Sequence, residues 1–153
     1  PTSTGEDRHR RSVYTFIKRT APFALFNTFD APTGESCLAR RDSSDTPLQA
    51  LALLNDVQFV EVAQAMGAQL AREPGTEVER VRRAFRRCLT RPPAESEVTE
   101  LVGFVQAQRR RLESKELDAG KLAGGGNEDV VERATWTLLA RILLNLDETI
   151  TKG

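Results

Sequence analysis

Apolar residues recur every three or four positions from Thr46 to the end of the chain, whereas the residues before it show no such period. Thr46 can cap a helix, with Pro47 at the first helical position and Gln49 three residues on in a capping-box arrangement. Leu48, Leu51 and Leu54 then form its apolar stripe, with Ala50 and Ala52 allowing close approach by a neighbour. Asn55 and Asp56 interrupt it. Asp56 is a good N-cap for a second helix through Val57, Phe59, Val60, Val62, Ala63, Met66 and Leu70, which runs out at Pro74–Gly75. Thr76 with Glu79 opens a third, with Val78, Val81, Phe85 and Leu89 on one stripe. "TRPPAESE" stops it, and a fourth helix carries Val98, Leu101, Val102, Val105 and Leu112. Residues 118–127, "DAGKLAGGGN", read as a flexible loop. The final helix, with Val131, Ala134, Trp136, Leu138, Leu139, Ile142, Leu143 and Leu146, is apolar over so wide an arc that it belongs at the centre of the core.

Residues 1–45 contain Pro22, Pro32 and Gly34 among Tyr14, Phe16, Phe23, Phe26 and Phe29, and read as an irregular, aromatic-rich arm. Within it "SVYTFIKRT" suits a short helix or a strand, and the reading leans to the helix. The expectation is an all-α fold: one domain over 1–153, with the arm at 1–45 and an irregular bundle of about five helices at 46–153.

Composition narrows the classes. The 22 Lys plus Arg balance 22 Asp plus Glu, which argues against nonspecific binding to nucleic acid or membrane. No stretch approaches the roughly 20 apolar residues of a membrane span. The chain begins with Pro1 rather than Met and reads as an excised fragment, so the lack of a signal peptide says nothing about compartment.

Few residues of the chain suggest chemistry. His9 is the only histidine, so a histidine-rich metal site or an ordinary His-based triad cannot be assembled, and no metal site is expected. Gly124 to Gly126 lack the strand, Lys and Ser/Thr of a phosphate-binding loop. There is no Cys-x-x-Cys-His for covalent haem. Cys37 and Cys88 leave open a disulfide, worth about 4 kcal/mol on chain-entropy grounds, or two separate thiols, which the reading favours. "RVRRAFRRCLTR" buries Val81, Phe85 and Leu89 on one face, so its arginines are expected to form an ordinary solvated face rather than a nucleic-acid surface.

One stretch stands apart: "NTFDAPTGESCLARRDSSDTPLQALALLND", residues 27–56. The runs Arg10 to Phe16, Phe29 to Pro32, Cys37 to Arg41, Thr46 to Leu51 and Leu53 to Asp56 resemble the C-terminal part of the PSD1 domain, also called DUF1553, of planctomycetes and related bacteria. The likeness continues through "AFRRCLTRPPAESEV" to "ATWTLLARILLNLDETIT". Ser44 and Asp45 stand where the family commonly has Thr-Asn, and His9 where it has Tyr. The resemblance implies the end of a longer exported protein, extracytoplasmic or periplasmic, with a DUF1549 domain and in many cases a cytochrome c-like domain upstream. Haem would then sit on that upstream domain, with no cofactor on this segment. The upstream domains of the same polypeptide would be the partners.

Physics offers two readings of the motif. In one, Cys37, Arg40, Arg41, Thr46, Gln49 and Asp56 are structural, and Asp30 or Asp42 pairs with Arg40 or Arg41 to clamp the arm onto the first long helix. In the other, Arg40 and Arg41 receive an anionic or sulfated glycan, with Asp30 as acid or base and Asn55 positioning. Cys37 as nucleophile is disfavoured, since the only conventional base is His9. The favoured role is a structural or interaction module. The alternatives are part of an extracytoplasmic enzyme of polysaccharide degradation and a scaffold for cytochrome-linked electron transfer.

Overall fold

The computed structural model describes residues 14, 18, 23–32, 44–126 and 129–150. Among these residues the chain forms eight helices and no strand: α1 Ala24–Thr28, α2 Pro47–Asn55, α3 Val57–Arg72, α4 Glu77–Leu89, α5 Glu95–Glu113, α6 Ala119–Ala123, α7 Val130–Leu144 and α8 Asp147–Ile150. The fold is all-α. The five expected helices are the five long ones, α2 to α5 and α7.

Local chemistry sets the helix starts. Thr46 Oγ1 accepts from the Gln49 N–H at 3.3 Å while Gln49 Oε1 accepts from the Thr46 N–H at 2.8 Å, so two otherwise orphaned donors are satisfied reciprocally. Asp56 Oδ1 caps α3 by accepting from the Gln58 N–H at 2.8 Å. Thr76 and Glu79 repeat the capping box on α4, which carries Glu77 and Glu79 in its first turn and Arg86 and Arg87 in its last, the order its dipole favours. At α5 the arrangement is half-formed. Glu97 Oε2 accepts from the Ala94 N–H at 2.6 Å, and alanine has no side chain to reciprocate.

The core lies around α7. Leu70 of α3, Val81, Ala84 and Phe85 of α4, and Val105 of α5 close on Trp136, Leu139 and Leu143. A smaller cluster joins Leu112 of α5, Ala123 of α6 and Ala134 of α7. Both clusters draw on α7, which matches the wide apolar arc of its sequence. It lies tightly against α3, where a Cβ on Gly67 would stand 2.6 Å from the Thr137 nitrogen and 2.8 Å from its Cα.

Two expectations differ from the structure. The segment read as a flexible loop holds α6, begun by Asp118 Oδ1 accepting from the Lys121 N–H at 3.2 Å and ended by Gly124 at φ +72°. Burial of Ala123 against Leu112 and Ala134 anchors this short helix, a tertiary cause that composition does not reveal. The partly irregular arm holds the short helix α1; Phe23 meets Phe26 edge to face at 5.7 Å, and Phe29 packs on Phe59 of α3 at 6.0 Å. The short element expected at Ser12 to Thr20 lies outside the described residues, apart from Tyr14 and Lys18.

Helix α2, too, departs from expectation: it is turned over relative to its apolar stripe. Leu48 and Leu51 are 62% and 56% exposed, and the buried residue is Gln49, at 1%. Val57, Val62 and Val78, read as inward positions of α3 and α4, are exposed as well.

Candidate functional site

The motif region is organised around the buried Gln49 amide. Asp30 follows α1 at φ +52°, a left-handed conformation that Asp tolerates better than most residues, with the next N–H, on Ala31, donating to Phe26 O at 2.8 Å. The turn delivers the Asp30 carboxylate to the start of α2. There Asp30 Oδ2 accepts from the Ser44 N–H at 2.8 Å, the Ser44 hydroxyl at 2.6 Å and Gln49 Nε2 at 3.3 Å. Gln49 Nε2 also donates to Ser44 Oγ at 3.0 Å. Both the oxygen and the nitrogen of the Gln49 amide are therefore engaged, and its orientation follows from its partners.

These bonds decide what Asp30 can do. The Ser44 hydroxyl, then the Ser44 N–H, and to a smaller degree Gln49 hold its carboxyl below the usual aspartate range. At neutral pH it is an anchored carboxylate that accepts three hydrogen bonds. It has no proton to give as an acid, and the same donors weaken it as a base. The expected partners Arg40 and Arg41, with Cys37 and Asp42, lie outside the described residues. Among the described residues, what ties Asp30 to α2 is its bond from Gln49, with Ser44 bonded to both.

The other motif residues occupy separate places. Thr46 and Asp56 are caps. Asn55 is exposed, donates from Nδ2 to Leu51 O at 3.0 Å, and sits six residues beyond Gln49, roughly 9 Å along the helix. The structure does not bring it to Asp30. Asp45 is exposed; partial desolvation and then the neighbouring Asp147 carboxyl push its pKa up. At the far end of α2, Arg141 Nη2 donates to Leu54 O at 2.6 Å, which satisfies a carbonyl the helix leaves open. Cys88 is a free, half-buried thiol 4.0 Å from Met66 Sδ, and burial raises its pKa more than Arg87 lowers it.

Sequence reasoning missed the charge network at the junction of α4, α5 and α7. Glu132 Oε1 accepts from Trp136 Nε1 at 2.7 Å and from Arg80 Nη1 at 3.2 Å, and its Oε2 accepts from Arg109 Nε at 3.1 Å. Arg109 Nη1 continues to Glu77 Oε1 at 2.6 Å. Burial alone would raise the Glu77 pKa, but Arg109 and Gln106 outweigh it and keep it low. The available signal was Glu132 four residues before the only Trp, one helical turn, where an indole N–H needs an acceptor. The arginines of α4 are not simply a solvated face. Arg80 holds Glu132, Arg82 holds Glu95 at 2.6 Å, and Arg83 and Arg87 share Glu73 at 2.8 and 2.5 Å.

A cleft of about 280 Å³ opens between α3, α6 and α7. Its Gln64 Nε2 donates to Leu122 O at 3.3 Å and its Arg133 Nη2 to Ala123 O at 2.9 Å, so both donors serve the carbonyls that end α6. Among the described residues no group of three or more His, Cys, Asp or Glu is placed to hold a metal ion. No described helix is long and apolar enough to cross a membrane.

No curated protein and no solved structure matches the chain. A family model does: PSD1, a protein of unknown function (DUF1553), over residues 1–105, a span that includes the arm, the Asp30–Ser44–Gln49 knot, α2 to α4 and the first part of α5. With more than half of its length matched, motif residues included, the chain belongs to the PSD1 (DUF1553) family.

Proposed function

We propose that this chain is a structural and interaction module of a larger exported, multidomain protein. The observation that carries the reading is the use made of the motif residues. Asp30, Ser44, Thr46 and Gln49 hold one another and fasten the arm to α2. The exposed aromatics of that arm, Tyr14 and Phe23, are surface for the neighbouring domains of the same polypeptide. The competing reading, a site of polysaccharide degradation around Asp30, Arg40 and Arg41, needs Asp30 to exchange a proton. Its three donors favour the anchored carboxylate instead.

Urea unfolding of Asp30→Asn and Gln49→Ala tests the proposal. Gln49→Ala removes half of a capping box and leaves buried partners unsatisfied, an expected loss of about 2 kcal/mol. Asp30→Asn should lower the urea midpoint as well. Midpoints equal to the parent's in both variants would overturn the structural reading and turn the search to anionic and sulfated sugars.

A further inference from the structure

We infer that the cleft between α3, α6 and α7 binds a small α-amino acid with an apolar side chain. It shares no residue with the Asp30–Ser44–Gln49 knot, and the inference does not rest on the role proposed above. Glu61, Gln64, Ala65 and Ala68 recur at helical spacing and form one wall along roughly 10 Å of α3, with Ala123 of α6 and Arg133 of α7 completing the cleft. Its volume of about 280 Å³ lies at the small end of ligand pockets and suits a metabolite rather than a polymer.

The lining selects the ligand. Arg133 is half-buried, its Nε is enclosed without a hydrogen-bond partner, and its one bond among the described residues runs from Nη2 to Ala123 O at 2.9 Å. The half-buried Arg80 and Arg109 each hold a carboxylate, whereas no described residue gives Arg133 one. A guanidinium fork with donors to spare suits a ligand carboxylate. Glu61 sets a negative charge in the same cleft, so a plain anion meets one attractive and one repulsive group, while a zwitterion complements both. Gln64 spends its Nε2 on Lys121 O at 3.4 Å and Leu122 O at 3.3 Å, which leaves Oε1, one helical turn from Glu61, to accept from an ammonium N–H. Ala65, Ala68 and Ala123 offer an apolar floor for the ligand's side chain. Gly124 and Gly126 leave the two polar groups room, since a Cβ on either would collide with Gln64 or Arg133.

Amide NMR of the 153-residue chain titrated with L-leucine tests this. Saturable shifts should centre on Ala65, Ala68, Ala123 and Gly124, with a Kd of about 1 mM for so small a ligand. Isocaproate, which lacks the amine, and isoamylamine, which lacks the carboxylate, keep the branched hydrocarbon and should each bind at least ~10-fold more weakly. Arg133→Met should abolish the shifts, and Arg133→Lys, which keeps the charge and loses the fork, should retain a weakened response. Ala65→Leu, at an exposed helical position, should fill the floor and block leucine with an unchanged helical circular dichroism spectrum. No saturable shift up to ~20 mM leucine, isoamylamine bound as tightly as leucine, or a response that survives in either Arg133→Met or Ala65→Leu would each overturn the inference.

Discussion

Arg91 shows how much one side chain of this protein fastens. It grips Glu97 with two bonds, Nη1 to Oε2 at 3.0 Å and Nη2 to Oε1 at 2.8 Å, and reaches Glu148 of α8 at 2.8 and 2.9 Å. Its guanidinium also lies 4.8 Å from the centre of the Phe85 ring. The Arg91 bonds, followed by the Ala94 N–H, lower the Glu97 pKa to about 2 from the ordinary 4.5. A carboxylate with a depressed folded pKa contributes stability that is fully present above its unfolded value and is lost as pH falls through the folded one. For Glu97 that window runs from 4.5 down to about 2. Glu148 and Glu95, each lowered first by an arginine hydrogen bond, act with the same sign. Arg91→Met should therefore shift the acid limb of unfolding to higher pH. In a carboxyl-carbon NMR titration the Glu97 midpoint should climb toward 4.5 and stop short of it, because the Ala94 N–H remains. A Glu97 midpoint still at about 2 in the variant would refute this assignment.

At the level of elements, two helical glycines predict opposite outcomes. A Cβ on Gly67 would press on the backbone of Thr137, and neither α3 nor α7 can give way without disturbing the core, so Gly67→Ala should cost about 3 kcal/mol. A Cβ on Gly103 in α5 meets nothing within 4 Å, so Gly103→Ala should gain about 1 kcal/mol from helix propensity alone. Thermal unfolding of both variants decides the matter, and shifts of the same sign would contradict the packing described. The contrast also shows what the sequence could reveal. Thr46, Asp56 and Thr76 announce their helices because a cap is a contact within three residues. The facing of α2 was not legible, since a leucine stripe has the same period whether it points in or out. Its direction is set by the bonds from Gln49 to nearby Ser44 and to Asp30, 19 residues away. At the candidate site the sequence pointed to Asp30 and to the capping box of Thr46 and Gln49, but gave no sign that Ser44 and Gln49 would bond Asp30. The helix within 118–127 was hidden because burial of Ala123, more than any local pattern, holds it in place.

For the whole molecule, α7 gives its apolar residues to both clusters and its Glu132 to the charge network, so one carboxylate sits where α4, α5 and α7 meet. The site is only partly exposed, with side-chain exposures of 21% for Arg80, 26% for Arg109 and 29% for Glu132, deep enough for an unmatched charge to be costly. Glu132→Ala would strip the acceptor from the fully buried Trp136 indole and remove the carboxylate that Arg80, 5.7 Å from its ring centre, bonds directly, leaving it the weaker Coulombic attraction of Glu77. Arg109 would keep Glu77 alone. Removing one partner of a fully buried pair costs about 3–5 kcal/mol, and with partial exposure the expected loss here is about 2–3 kcal/mol. Glu132→Gln keeps an acceptor for the indole and loses only the charge, so it should fall between parent and alanine variant. Trp136 is the only tryptophan, so urea unfolding followed by its fluorescence reads this junction directly. If Glu132→Ala unfolds within ~0.5 kcal/mol of the parent, the size of an ordinary surface substitution, the network does not join the helices, and their association rests on the apolar clusters alone.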